Sequence, residues 1–458
     1  MRARDVVSIA RPCVGVPATA RYIIGLQCCA ALACTGSSSL DTPAPEGPAG
    51  VLIVSIDGLR ADALGAYDRD VAWTPNLDGL ASSSWVFRDV VSQAPSTLES
   101  HRSVFLSMYP HLHGTSITES GRMPIESPMM RLRARGFRTA GFVGSGQMLG
   151  RFGWDQEFED FQDRISETDE LRRTALQWLR NTRDQPFVLF LHTYAVHCPF
   201  TPAQPYRSQH AGWYTGSLQT EGKCGIDFNE MDLDPEDVRY LRDLYAAEVE
   251  MTDAFLGDLF EGLEQMGLFE RTLIVVMSDH GESLGERGFI GHNQLLPVHL
   301  AVPLIIKVPG RAPALVDAPA QNLDILPTIF DVLGLESPYP FQGRSLVEVA
   351  ENVTEPDMRV RVAEQVSGRA AVIRDRWHMV LRRGRRAGPR LYDRVEDPEA
   401  LVDRARSHPE VVASLIQEYD VILAQDARYA DLLQPRQGGR TQLEDEVIKE
   451  LRVLGYVQ

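Results

Sequence analysis

An α/β fold is what this chain of 458 residues predicts: a mainly parallel sheet sandwiched by helices, with a small antiparallel subdomain near the carboxy terminus. Three observations carry that expectation. Short unbroken apolar runs rich in Val and Ile recur along the chain, as strands covered on both faces require. Stretches with helical period separate them, and after residue 370 short strands gather around a basic loop instead.

Taken in order, Arg2, Arg4, Arg11 and Arg21 precede an apolar run, Tyr22 to Leu32, that is too short to span a membrane and has the basic flank of a secretory signal. The run ends in Ala31-Leu32-Ala33-Cys34, which resembles the lipobox of bacterial lipoproteins with Ala31 in place of the usual Leu. Residues 1–34 are therefore expected to be a signal peptide, Cys34 a lipidation site, and the mature protein lipid-anchored on the periplasmic side of a bacterial membrane. Residues 35–50, rich in Ser, Thr, Pro, Gly and Ala, read as a flexible linker. A catalytic α/β domain is expected over 51–350 and a subdomain with a helical tail over 351–458.

Strands are expected at Val51–Ile56, Thr139–Val143, Phe187–Leu191, Leu273–Met277 and Leu304–Val308. Asp234 as N-cap and Pro235 at the first helical position open a helix that carries Leu241, Tyr245, Phe255, Leu259 and Leu263 on one face until Gly267. A second helix runs from near Asp324 to Gly334. Further on, Ala371–Ile373 and His378–Leu381 read as short strands, with Arg382–Arg390 as a basic loop.

Composition narrows the function. With 63 acidic and 46 basic residues the formal net charge is −17, which argues against nucleic acid or anionic lipid as a general electrostatic partner. Four of the six cysteines precede residue 35, leaving Cys198 and Cys224 either to pair in an oxidising compartment or to stay reduced and buried.

The chemistry gathers around QAPSTLESHRSVFLSMYPHLHG, Gln93 to Gly114. Thr97 falls in the first turn of a helix whose free N–H groups favour an anion. The plainer reading is a capping box between Ser96 and Glu99 that only starts the helix. Ligands in open α/β sheets bind beyond the carboxyl ends of the strands. Asp57 ends one predicted strand, His192 and His197 follow another, and Ser278, Asp279 and His280 follow a third. A divalent cation would neutralise these carboxylates and lower the pKa of the Thr97 hydroxyl.

The runs VLIVSIDGLRADALGAY, TPNLDGLA, the Thr97 segment and SDHGESLGERGFIGH resemble, in this order, the sulfatase family of the alkaline phosphatase superfamily. Weaker matches at AVPLIIKVPG, NLDILPTIFDVLGL, GRSL and LYDRVEDPEA extend the resemblance over nearly everything after residue 50. It implies an alkaline-phosphatase-like sheet and one divalent ion, calcium, manganese or zinc, held by Asp57, Thr97, Asp279 and His280. It also implies ester or leaving-group contacts, or general acid work, for His197 and His292.

The departures are informative. Family sulfatases make a formylglycine from a Cys or Ser, but Thr97 stands there, as in relatives that form a phosphothreonine. His101 holds the motif's Arg position with Arg102 beside it, and both are taken with His197 as substrate contacts. Gly58 replaces a second acidic ligand, Thr193 replaces an Asp of two-zinc diesterases, and Gly144 to Gln147 lack the family's Lys. The implied activity is metal-dependent hydrolysis of sulfuric or phosphoric esters, on a small-molecule or glycan substrate, with Thr97 as nucleophile. A phospho-head-group transferase and a glycan-binding scaffold of the same fold are the alternatives.

Overall fold

The computed structural model describes residues 47–119, 121–218, 226–227, 233–351, 358–383, 385–435 and 444–453. The expected signal peptide with Cys34, most of the expected linker, and Cys224 lie outside the described residues. Eight strands form the central sheet: β1 (Gly50–Ile56), β2 (Trp85–Phe87), β3 (Arg138–Val143), β4 (Asp160–Gln162), β5 (Phe187–Thr193), β6 (Thr272–Met277), β7 (Leu304–Lys307) and β8 (Ala314–Val316). Their order across the sheet is β8-β2-β7-β6-β1-β5-β3-β4. β1 pairs in parallel with both β5 and β6, whereas β7 runs antiparallel to β6 and β2.

The five principal helices are α1 (Thr97–Leu106), α2 (Thr168–Thr182), α3 (Pro235–Gln265), α4 (Ile325–Val332) and α5 (Pro409–Ala424). Alternation along β1 explains the sandwich. Leu52, Val54 and Ile56 join a core with Leu176 and Leu179 of α2 and Leu244, Leu256 and Leu259 of α3. Val51 and Ile53 point the other way, into a core with Leu98 and Phe105 of α1 and Ile329 and Phe330 of α4. α3 begins as expected, Asp234 accepting from the backbone of Glu236 and Asp237 in a capping box.

The antiparallel sheet near the carboxy terminus has the order β9 (Arg361–Glu364), β10 (Arg369–Arg374), β11 (Trp377–Arg382) and β12 (Arg385–Asp393). Most of the expected basic loop is thus part of the strand Arg385–Asp393, which lies at the edge of this sheet, a place that tolerates charge. The capping box at Ser96 does not form. Its hydroxyl donates to Glu99 Oε2 at 2.6 Å instead of capping a backbone N–H. No helix among the described residues is long and apolar enough to cross a membrane.

Candidate active site

The carboxyl ends of β1, β5 and β6 lie side by side, and the amino end of α1 meets them. Asp57 follows β1, and its backbone N–H donates to the Thr193 carbonyl at 3.0 Å. Thr97 Oγ1 donates to Asp57 Oδ2 at 3.0 Å and stands 3.4 Å from His280 Nε2. His192 Nε2 donates to the same Asp57 oxygen at 3.3 Å. Asp279 Oδ1 accepts from the Gly58 N–H at 3.4 Å. His280 Nε2 lies 3.4 Å from Asp57 Oδ1 and 3.5 Å from Asp279 Oδ2. Asp57, Thr97, Asp279 and His280, four residues from three distant segments, are fully buried and share one small volume.

The backbone beneath them is pinned from several directions. Ser100 Oγ donates to the Asp279 carbonyl at 2.7 Å, Ser92 Oγ bonds to the same carbonyl, and Asn322 Nδ2 donates to the Ser278 carbonyl at 2.8 Å. At the start of α1, the Leu98 N–H is taken by Gln147 Oε1 at 2.6 Å. The residue that closes the segment lacking a family Lys therefore holds one of the helix's first N–H groups.

Electrostatics give the cluster its character. Burial pushes the Asp57 carboxyl well above the ordinary range. Asp279 rises likewise, by burial first and by the Asp57 charge second. Burial lowers His192 to about 3 and drives His101, His197, His280 and His292 well below the usual imidazole value. Asp57 Oδ1 and Asp279 Oδ2 have no hydrogen-bond partner among the described residues. Orphaned, buried carboxylate oxygens beside a hydroxyl and an imidazole are a donor set that fits a divalent cation.

The structure separates the other expected site residues. His197 and His292 join the cluster: His197 Nε2 lies 3.9 Å from Asp57 Oδ1 and 3.1 Å from His292 Nε2, and the His280 and His292 rings stack at 4.1 Å. His101 sits one layer lower, its Nδ1 donating to the Thr97 carbonyl at 2.7 Å and its Nε2 accepting from Ser55 Oγ at 2.8 Å. Both of its ring nitrogens are thus engaged with the start of α1 and with β1. Arg102 is corrected outright. Its guanidinium pairs with Glu157 at 3.0 Å, donates to the Phe152 carbonyl at 2.9 Å and lies 3.8 Å over the Trp154 ring, on the core side of α1. Successive helix residues point about 100° apart, so Thr97 and Arg102 do not share a face.

One residue that sequence reasoning passed over is Glu282. It is fully buried, both of its oxygens lack hydrogen-bond partners among the described residues, and burial together with Asp57 and Asp279 raises its pKa well above the usual range. Its signal was adjacency, two residues past His280. Gly58 explains its place: with φ +72°, a Cβ there would meet Glu282 Oε2 at 3.2 Å, so a glycine leaves the room this carboxylate uses. Cys198, next to His197, is half of a disulfide.

A choline-sulfatase of Rhizobium meliloti (strain 1021) is 26% identical over 402 residues, covering 73% of this chain and 78% of the relative. The phosphonate monoester hydrolase of Agrobacterium radiobacter superposes with a TM-score of 0.69 at 19% identity, over 87% of this chain and 100% of that one. A protein solved in complex with its substrate D-glucosamine-2-N,6-O-disulfate gives the same TM-score at 18% identity, over 86% of this chain and 100% of that chain. The family model described as Sulfatase matches residues 50–335, the stretch that supplies every residue of the cluster, and the chain belongs to the sulfatase family of ester hydrolases.

Proposed function

We propose that the protein hydrolyses sulfuric or phosphoric esters with Thr97 as nucleophile, using a divalent ion held by Asp57, Thr97, Asp279 and His280. The observation that carries this reading is the Thr97 hydroxyl, 3.0 Å from Asp57 Oδ2 at the first turn of α1, beside two carboxylate oxygens with no partner among the described residues. A bound divalent ion would offset the carboxylates and lower the pKa of that hydroxyl. Thr97 Oγ1 then forms a bond to sulfur or phosphorus while the bond to the leaving oxygen breaks, and its proton passes to Asp57 Oδ2. Water hydrolyses the threonine ester in a second step and returns the hydroxyl. The start of α1 aims its dipole at the equatorial oxygens.

His197 and His292 lie next to this centre, on the side we assign to the leaving oxygen. With Thr97 at the formylglycine position and His280 after Asp279, the reading leans to phosphoric esters, while the family relatives act on sulfate and phosphonate esters. We take the substrate to be a small-molecule or glycan ester. We further propose export, with residues 1–34 as signal and Cys34 as lipid anchor. The disulfide at Cys198 supports this, since disulfides persist in oxidising compartments.

The test is a parallel assay on aryl sulfate, aryl phosphate monoester, aryl phosphodiester and aryl phosphonate monoester with wild type and Thr97→Ala. At least one ester is cleaved by wild type and by it alone. Equal turnover in both proteins removes Thr97 from the mechanism, and mass spectrometry of a trapped Thr97 adduct distinguishes sulfate from phosphate.

A further inference from the structure

The arginines that read as a basic loop in the sequence have no part in the ester chemistry, yet the antiparallel sheet sets them in a row. Register places Arg369 of β10 directly opposite Arg382 of β11, and Arg382 opposite Arg385 of β12. Arg369 and Arg382 are both exposed. Among the described residues neither forms an ion pair, whereas their neighbours Arg374, Arg376 and Arg383 each meet a carboxylate. Like charges directly opposite on adjacent strands repel. On a chain of net charge −17, this strip keeps positive charge that nothing beside it neutralises.

The strip begins beside the candidate active site. Side chains alternate along a strand, so Arg369 shares a face with Ala371 and Ile373, and Arg382 shares it with Val380. Those three residues pack on Val91, Leu295 and Leu300, so the face turns toward the segment that follows His292. The Gln365 N–H donates to the Arg369 carbonyl at 2.9 Å, closing the turn from β9 to β10, and the Gln365 amide donates to the Asn293 carbonyl at 2.5 Å. Asn293 in turn donates its N–H to the Pro95 carbonyl at 3.1 Å, two residues before Thr97. Nearby, the Glu364 N–H reaches the Gln93 carbonyl at 2.8 Å. Two short links, Pro95 to Asn293 and Gln365 to Arg369, thus tie the nucleophile's segment to the strip.

We propose that Arg369 and Arg382 form a binding strip for a sulfated, polyanionic glycan, which lies along the strip while one of its esters sits at Thr97. The second half of that statement rests on the ester-hydrolase reading of Thr97; the binding does not need it. Neighbouring strands lie about 4.8 Å apart, so two guanidinium groups in register can fork onto one sulfate or onto two from successive sugars. An oligomer fits a narrow strip that ends at a reacting centre. A membrane surface is broad, and it would meet the net negative charge of the whole chain, which repels it. The strip therefore selects esters on chains that carry further anionic groups over isolated ones.

The probe is a fluorescein-labelled heparin octasaccharide, titrated against full-length wild type and Thr97→Ala and read by anisotropy, beside a neutral dextran of matched length. Both proteins are expected to bind heparin and not dextran. Arg369→Gln combined with Arg382→Gln is expected to weaken heparin binding on the order of tenfold. Arg133→Gln combined with Arg135→Gln removes the same charge from exposed positions at the end of the helix Pro128–Ala134 and should bind as wild type. Arg369→Lys with Arg382→Lys, which keeps the charge, should retain most of the binding, so that loss of charge is separated from loss of fold. Heparin should also raise the melting midpoint of wild type more than that of the Arg369→Gln, Arg382→Gln protein. No binding by wild type, undiminished binding after the substitutions in the strip, or equal weakening in both glutamine pairs overturns the proposal. Phosphatidylglycerol vesicles that bind through the strip more tightly than heparin would make the partner a membrane and overturn it too. Because binding is read in Thr97→Ala as well, failure of the strip and failure of the nucleophile are told apart.

Discussion

Asp57 and Glu364 are both carboxylates closed off from water, and their neighbours treat them in opposite ways. Glu364, on β9, accepts from the His111 N–H at 2.8 Å, from His111 Nδ1 at 2.7 Å and from the Tyr419 hydroxyl at 2.5 Å. His111 Nε2 reaches Asp426 at 3.1 Å. Burial alone would raise Glu364, yet its bonds and charge contact with His111 bring it below the usual range. His111 is held at about 9, because Asp426 and Glu364 outweigh its burial. Asp57 is raised instead, with His192, His197 and His280 around it all held neutral. A buried polar cluster that satisfies itself is a joint between parts of the fold. One that leaves oxygens unmet is built for something added later.

Breaking the two clusters should therefore give different outcomes, the largest at the site. Thr97→Ala and Asp57→Asn are expected to lower kcat/KM by on the order of 10³-fold or more in ester hydrolysis, with thermal melting of the metal-free protein unchanged or improved. Intact turnover in either variant would place the chemistry elsewhere. At the joint, Glu364→Gln should lower stability by about 3–5 kcal/mol in urea titration, since it leaves a buried imidazolium without its partner, while KM under native conditions stays the same. Arg102→Met belongs with the joint. A midpoint shift of similar size, without the partner of Glu157, is expected, and a many-fold rise in KM at unchanged stability would restore Arg102 as a substrate contact.

Smaller effects sharpen the contrast. His111 is raised from its ordinary value near 6.5 to about 9, so its contribution is complete below pH 6.5 and lost as pH rises through 9. Stability should fall by up to about 3 kcal/mol across that window, and His111→Gln should flatten the profile. A wild-type curve with no slope there would show that the imidazolium is not the joint's centre. Last, Glu270→Gln, which breaks a pair between Lys307 and an exposed carboxylate, should move stability by no more than about 0.5 kcal/mol.

Much of this arrangement was legible along the chain because it is periodic or adjacent. The apolar runs at Val51–Ile56 and Phe187–Leu191 are strands, the pattern from Asp234 is one helix, and Asp57, Thr97, Asp279 and His280 fall together because each follows a strand end or opens a helix. Arg102 was misread because a motif's register says which residues are near, not which face each takes on a helix. Glu282 was passed over because a carboxylate in a loop carries no mark of burial. The strand at Arg385–Asp393 looked like a loop because edge strands tolerate charge.

By itself the sequence determined the layered sheet and the identity of the residues at its carboxyl rim, since burial on two faces and termination at a polar residue are local properties that a chain must encode in order. Only the tertiary structure decided which atoms of those residues meet. The Nδ1 atoms of His197 and His292 are fixed by carbonyls of residues 198 and 95, and the room beside Gly58 is filled by Glu282 from another strand's loop. The contacts of His292 with Pro95 and of Glu282 with Gly58 join segments roughly two hundred residues apart, and no local pattern records them.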